Sequence, residues 1–178
     1  SASNIAKYLK SQRDAVTTQA VLNYLKPLAA AYFIHKVPRY DIAGLRIFEV
    51  GEKYYFEDIG LRNAIRGYDK RKDIGKLMEN AVYLHLIQQG FSVFTGQAGN
   101  YEIDFVAQKA GITLYIQVCY LLTDENTVSR EFGNLLKIND NYRKYVVTMD
   151  EVNSGTSYHG IEQVHLKDFL VSSFTDLL

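Results

Sequence analysis

A single cysteine, Cys119, is all that the 178 residues contain, so no disulfide can close within the chain. No apolar stretch approaches the roughly 20 residues of a membrane-spanning helix, and no signal peptide's succession of basic, apolar and small residues opens the sequence. The expectation is a soluble, cytoplasmic protein with no membrane partner. Zinc is not expected: His35, His85, His159 and His165 show no ligand spacing, and one cysteine makes no zinc knuckle. Internal repeats and low-complexity segments are missing. So is an initial Met; Ser1 runs almost at once into a helical pattern, which suggests a piece of something longer with part of its function upstream.

Net charge is absent as well, with 20 Lys and Arg against 20 Asp and Glu, but the balance hides a division. Residues 1–72 carry 13 basic and 7 acidic side chains, and residues 73–178 carry 7 and 13. Such asymmetry suggests different partners for the two halves. The run "YDKRKD" (68–73) sits at the change of sign and reads as a boundary or as a solvated loop, dividing the chain into residues 1–70 and 71–178. With 47% hydrophobic residues the chain has ample material for a core.

In the first half Ser3 precedes "NIAKYLK", a short helix by the spacing of Ile5 and Leu9. Thr17 or Thr18 can cap "TQAVLNYLKPLAAAYF", whose Val21, Leu22, Leu25, Leu28 and Ala29 form one apolar face. "YFIHKVPRYD", "LRIFEV" and "KYYFED" then read as strands separated by turns at "DIAG" and "GE". Helix, turn, helix and strands is the order of a winged helix. In a DNA-binding version Gln19, Asn23 and Lys26 would read bases, and Lys36, Arg39 and Arg46 would hold the backbone from the wing. The same order also serves as a structural adaptor, and a surplus of six charges is not a dense basic stripe.

In the second half "DIGKLMENAVYLHLIQQG" reads as a helix with Asp73 as N-cap and Gly90 past its end. Glu79 shares a face with Val82, Tyr83 and Leu86, or lies at its wet edge. "FSVFTG", "YEIDFVAQ" and "ITLYIQVCYLL" follow as strands, the last two joined by a turn at Ala110 and Gly111. Pairing Gln108 with Thr113 sets Asp104 opposite Gln117 and Glu102 opposite Cys119, all on one sheet face, with Ile103, Phe105, Ile116 and Val118 on the other. Asp104, Gln117 and Glu79 would together offer hard oxygen ligands of the kind that hold Mg²⁺ or Mn²⁺ beside phosphates. A helix at "NTVSREFGNLLKIND", a strand at "KYVVTM" and a closing helix at "LKDFLVSSFTDLL" complete a mixed α/β pattern.

"EIDFV", a turn and "YIQVC" resemble the signature of the restriction-endonuclease-like superfamily, an Asp on one strand and Glu-x-Lys on the next. Glu79 corresponds to the acid that the preceding helix often supplies. More widely, "NIAKYL", "VLNYLKPL", "YFEDIGLRNA", "REFGNLLKI" and "DNYRKYVV" resemble the C-terminal region of prokaryotic AAA-type ATPases, the domain-of-unknown-function family 4143. The resemblance implies a winged helix followed by a restriction-endonuclease-like mixed sheet flanked by helices. It also implies an upstream ATPase module as partner, with ATP bound only there, because no G-x-x-x-x-G-K-[ST] occurs in this chain.

Two departures bear on activity. Gln117 stands where the signature has Glu, and Cys119 where it has the Lys that stabilises charge on the phosphate. Lys137 or Lys109 is the substitute to look for in space. The resemblance thus implies a degenerate Mg²⁺-dependent nuclease acting on DNA, or an inactive protein-interaction module of the ATPase. Cys119 as a nucleophile partnered by His85 or His165 is a further reading, against an inert buried thiol. The 14 tyrosines are either base-stacking groups or packing residues with wet tips.

Overall fold

The structure, a computed structural model, describes residues 1–122, 124–151 and 154–174, with the backbone alone for 49 and 50. Helices α1 (Ala2–Ser11) and α2 (Thr18–Ala30) precede strands β1 (Ile34–Asp41) and β2 (Arg46–Phe56). Helices α3 (Ile59–Arg66) and α4 (Lys70–Gln88) lead to β3 (Ser92–Ala98), β4 (Tyr101–Lys109) and β5 (Ile112–Cys119). Then come α5 (Glu125–Leu136), β6 (Arg143–Thr148), β7 (Ser157–Tyr158), β8 (Ile161–His165) and α6 (Leu166–Val171).

The eight strands of the described residues form one mixed sheet in the order β2-β1-β3-β4-β5-β6-β8-β7. The fold is α/β. Strands β3, β4 and β5 run as an antiparallel meander, while β1–β3, β5–β6 and β6–β8 pair in parallel. One face packs on α4 and α6, through Met78, Val82, Leu86 and Phe169 against Phe105, Leu114 and Ile116. The other packs on α5, through Phe132 and Leu135 against Val106, Tyr115 and Val146. Helices on both faces explain why the central strands read as nearly unbroken apolar runs.

Local chemistry sets the element ends. Thr17 caps α2 by accepting from the Ala20 amide at 3.1 Å, as its type and position predict. Ser3 does not cap α1: the helix already includes it, and its hydroxyl meets that of Ser1 at 2.9 Å. Asp73 does not cap α4 either. Asp69 does, so the basic run forms the first turn. Asp73 is 2% exposed and receives Arg62 at 2.9 Å, Arg66 at 2.6 Å and the Asp69 amide at 3.0 Å. These donors, the Arg62 guanidinium and the Asp69 amide foremost, hold its carboxyl well below the usual carboxylate range. Gly90 follows α4 with a φ of +83°, the left-handed conformation that glycine tolerates best.

The expected break between "LRIFEV" and "KYYFED" is absent, since β2 runs through it. The irregularity is instead a register shift in which Val37 faces Lys53 and Arg39 faces Phe48. Pro38 lies at the shift, where its missing N–H costs no ladder bond. Helix α3 and strands β7 and β8 are additions to the expected elements. The closing helix is shorter than its pattern predicts, ending at Val171; residues 175–178 lie outside the described residues.

Candidate active site

The β4–β5 turn places Gln108 opposite Thr113 and Phe105 opposite Ile116, as the sequence predicts. Beyond Phe105 the side chains take over from the ladder. The Asp104 amide donates to Gln117 Oε1 at 3.2 Å, and Asp104 Oδ2 accepts from the Val118 amide at 2.9 Å. A carboxylate and a carboxamide thus satisfy backbone and side chain reciprocally where two strands begin to separate.

The face assignment needs correction at this point. A bulge pairs Phe94 with Val106 but Gly96 with Ile103, giving β4 one extra residue. Ile103 consequently packs with Val106, Tyr115 and Cys119 on the α5 side, while Phe105 packs with Ile116 and Val118 on the α4 side. The expected apolar set is therefore divided between faces. Gly96 permits the bulge, because a Cβ there would lie 2.8 Å from Val106 and 2.9 Å from Ile103.

Lys53 of β2 is the hub of the site. Its Nζ lies 2.8 Å from Glu102 Oε1, 3.4 Å from Asp104 Oδ1 and 3.6 Å from Glu79 Oε2. Alternation along β2 puts Lys53 on the same face as Tyr55, which is 5% exposed, stacks on Tyr83 and donates to Glu79 Oε2 at 3.3 Å. Burial opposes the Lys53 charge, but Asp104, Glu79 and Glu102 outweigh it and hold the ammonium above its ordinary pKa. Asp104 responds oppositely. Burial and then the Glu79 charge push its carboxyl up to about 7, against the pull of Lys53 and the Val118 amide. For Glu102, burial is outweighed by Lys53 and by Arg39, and its pKa falls.

Glu79 and Asp104 thus meet around Lys53, with Glu102 and Lys53 as members the sequence did not assign. Gln117 instead reaches the backbone amide of Asp104 from the strand face of Tyr115 and Cys119. The lysines proposed as substitutes lie elsewhere. Lys137 sits 3.2 Å over the ring of Tyr101, and Lys109 donates to the Gln89 carbonyl at 2.8 Å. Both are satisfied away from the carboxylates. The polar hairpin and the exposed helix end attract them there, whereas Lys53 arrives on a strand that faces α4.

Cys119 is 7% exposed in the α5 cluster, and burial followed by the Glu131 charge raises its thiol to about 12. That is the setting of an inert thiol. His85 packs among Phe169 and Phe174, in the cluster on the other face, and is no partner for it. The native protein is expected to resist iodoacetamide at pH 8 and to be alkylated once unfolded. Mass spectrometry before and after guanidinium checks this, and fast native labelling would contradict the assigned burial.

Among the residues expected to meet nucleic acid, Gln19, Asn23 and Lys26 are exposed on α2, with the Gln19 amide donating to Asn23 at 3.1 Å. Lys36 is exposed on β1. Arg46 is exposed and 3.4 Å from Asp41. Arg39 differs. Its guanidinium is turned inward to the Gly51 carbonyl, Gln97 and Glu102, at 3.1, 3.3 and 2.9 Å.

Among the described residues no group of three or more His, Cys, Asp or Glu side chains is arranged to hold a metal ion. The donor chemistry nevertheless suits a hard divalent cation, because oxygens of Glu79, Glu102 and Asp104 already surround one cationic nitrogen. Asp104 and Glu79 would hold such an ion, while Gln117 Oε1, expected as a third ligand, is engaged by the Asp104 amide.

The chain is similar to an uncharacterized protein of Haemophilus influenzae, 36% identical over 169 residues, which cover 95% of this chain and 41% of that protein. It is also similar to an uncharacterized protein of Methanocaldococcus jannaschii, 32% identical over 126 residues, covering 68% of this chain and 27% of that protein. No family model matches the chain. No solved structure matches it. The chain therefore corresponds to one part of proteins more than twice as long as itself.

Proposed function

We propose that the chain is the accessory C-terminal region of an AAA-type ATPase, a winged-helix-like first half joined through β1 to a restriction-endonuclease-like sheet whose site hydrolyses phosphodiesters with Mg²⁺ or Mn²⁺. The observation that carries this reading is the position of Lys53. The cation that Cys119 fails to provide is supplied from β2, within 3.4 Å of Asp104 and 3.6 Å of Glu79. A lysine so placed can stabilise charge building on a phosphoryl oxygen, the task its signature counterpart performs. The bound metal would polarise the phosphoryl group and lower the pKa of a water. Asp104 and Glu79 hold the anionic charge that retains the ion, Tyr55 orients Glu79, and Arg39 keeps Glu102 at the rim. The length of the relatives leaves room for an ATPase module.

The test is cleavage of labelled single-stranded, duplex and branched DNA, and of RNA, in Mg²⁺ and Mn²⁺. Activity is expected in the parent chain and not in Asp104→Ala. Millimolar metal should also raise the melting temperature of the parent at pH 8 by a few degrees, through binding to the native state alone. Equal melting curves with and without metal, together with no cleavage, would sink the proposal.

A second reading has its own observation. Helix α2 exposes Tyr24 (72%) and Leu28 (40%), followed by Tyr32 (75%), beside the would-be base readers. Exposed aromatic and aliphatic groups suit a protein partner better than a phosphate backbone. In that reading the first half docks on the ATPase module, and replacing Tyr24 and Tyr32 by Ser would release the module without changing DNA affinity.

A further inference from the structure

A cleft of about 580 Å³ opens onto the candidate site from the side of α1, β2, α3 and α4. Lys53 and Glu79 line it, together with Tyr8, Tyr54, Arg66 and Lys76. Lys76 is three residues before Glu79 on α4, which sets the two side chains one turn apart on the same face. It is exposed and forms no ion pair among the described residues. Arg62 and Arg66 share the single carboxylate of Asp73, leaving one positive charge over; the Arg62 side chain is buried and that of Arg66 is 58% exposed. Two cations therefore flank the mouth: Lys76, with no ion pair among the described residues, and Arg66, which shares the Asp73 carboxylate with Arg62. The floor is the reverse, with Glu79, Glu102 and Asp104 around Lys53.

Two tyrosines line the same cleft. Tyr8 is 65% exposed, and Tyr54 is half-buried with its hydroxyl held by Glu52 at 3.0 Å. Cations and aromatic side chains lining one groove suit a chain that presents phosphates and unstacked bases together, which a single strand does and a duplex does not. Resting on the reading of the site as a phosphodiester centre, we propose that this cleft admits a flexible single-stranded nucleic acid, with Arg66 and Lys76 on phosphates and Tyr8 against a base. The mouth holds the strand with or without metal, and the acidic floor keeps a phosphate out of the site itself until a divalent ion is bound. Binding and cleavage are thus separable.

The test is fluorescence anisotropy with fluorescein-labelled oligo-dT, oligo-U and a duplex of about a dozen nucleotides, in EDTA so that nothing is cut, with salt varied. Both single strands should bind more tightly than the duplex, and any preference between them assigns the sugar. The dependence of log affinity on log salt should have a slope of about −1.4, for two phosphates on a single strand. Arg66→Gln with Lys76→Gln should weaken binding about tenfold and flatten that slope. Tyr8→Ala should weaken it about fivefold, and changing Gln19, Asn23 and Lys26 to Ala should leave it unaltered. If Arg66→Gln disturbs the Asp73 cluster, Lys76→Glu alone decides the matter, because that side chain has no ion-pair partner to lose. Unchanged binding by the Lys76 variant, tighter binding of duplex, or loss through the α2 residues instead would overturn the assignment. Cleavage that persists with unchanged binding in the double variant removes the cleft and leaves the site. Cleft-dependent binding with no cleavage in metal does the opposite.

Discussion

Lys53→Met is expected to lower the melting temperature by about 5–10 °C at pH 8 and to abolish most cleavage. Removing one partner of a buried ion pair typically costs about 3–5 kcal/mol. Lys53 and its partners are between 11% and 43% exposed in their side chains, so solvent screening reduces that to about 2–3 kcal/mol. In a domain of this size each kcal/mol moves the melting temperature by about 2–4 °C. The loss has a signature beyond its size. Three carboxylates left without their ammonium repel one another, so the deficit should shrink at pH 5, where Asp104 takes up a proton. Mn²⁺ should restore part of it at pH 8 by entering the same oxygens. Lys53→Arg should keep the stability, because the charge remains, while cleavage falls with the altered reach of the donor. Loss of the cationic stabiliser is expected to slow cleavage by about 10²-fold or more. A Met variant as stable as its parent at pH 8 would show that the carboxylates do not depend on Lys53.

The second large effect concerns Asp104 and has the opposite sign. Its carboxyl is raised in the folded protein to about 7, first by burial and then by the Glu79 charge. A group that binds its proton more tightly when folded stabilises the fold fully below its unfolded pKa, and that stabilisation is lost as pH rises through the folded value. Between about pH 4 and pH 7 the protein should therefore lose on the order of 3 kcal/mol from this group. Asp104→Asn resembles the protonated state and can still accept from the Val118 amide. It should be more stable than the parent at pH 8, should show a flatter pH profile, and should lose the melting response to metal. Chemical denaturation at pH 5 and pH 8 reads all three. A variant less stable than the parent at pH 8 would mean that the Asp104 charge supports the fold instead of straining it.

The β4–β5 register was legible because Ala110 and Gly111 admit a two-residue turn, both with positive φ, and because apolar and polar side chains alternate on either side. The capping role of Thr17 was legible for the same local reason. The bulge in β4 was not. It depends on Gly96 of the neighbouring strand, and nothing within "YEIDFV" announces that Ile103 and Phe105 will part. Lys53 was missed although its signal was present: in "EKYYF" it holds the position that alternates with a buried tyrosine, the same kind of anomaly that drew attention to Glu79. The bonds made by Asp69 and Asp73 show a related ambiguity, since two acids four residues apart compete for one helix start and tertiary arginines decide between them.

The parallel pairing of β1 with β3 joins the first hairpin to the central meander. Lys53 meets Asp104 only when β2, β1, β3 and β4 stand side by side, across about fifty residues of intervening chain. Closing so long a loop is entropically slow and comes late in folding. A half-built chain then keeps its lysine and its acids apart, a nascent one presents the lysine before the acids exist, and the site matures when the first hairpin joins the meander. Any chemistry it performs is confined to molecules that have finished assembling.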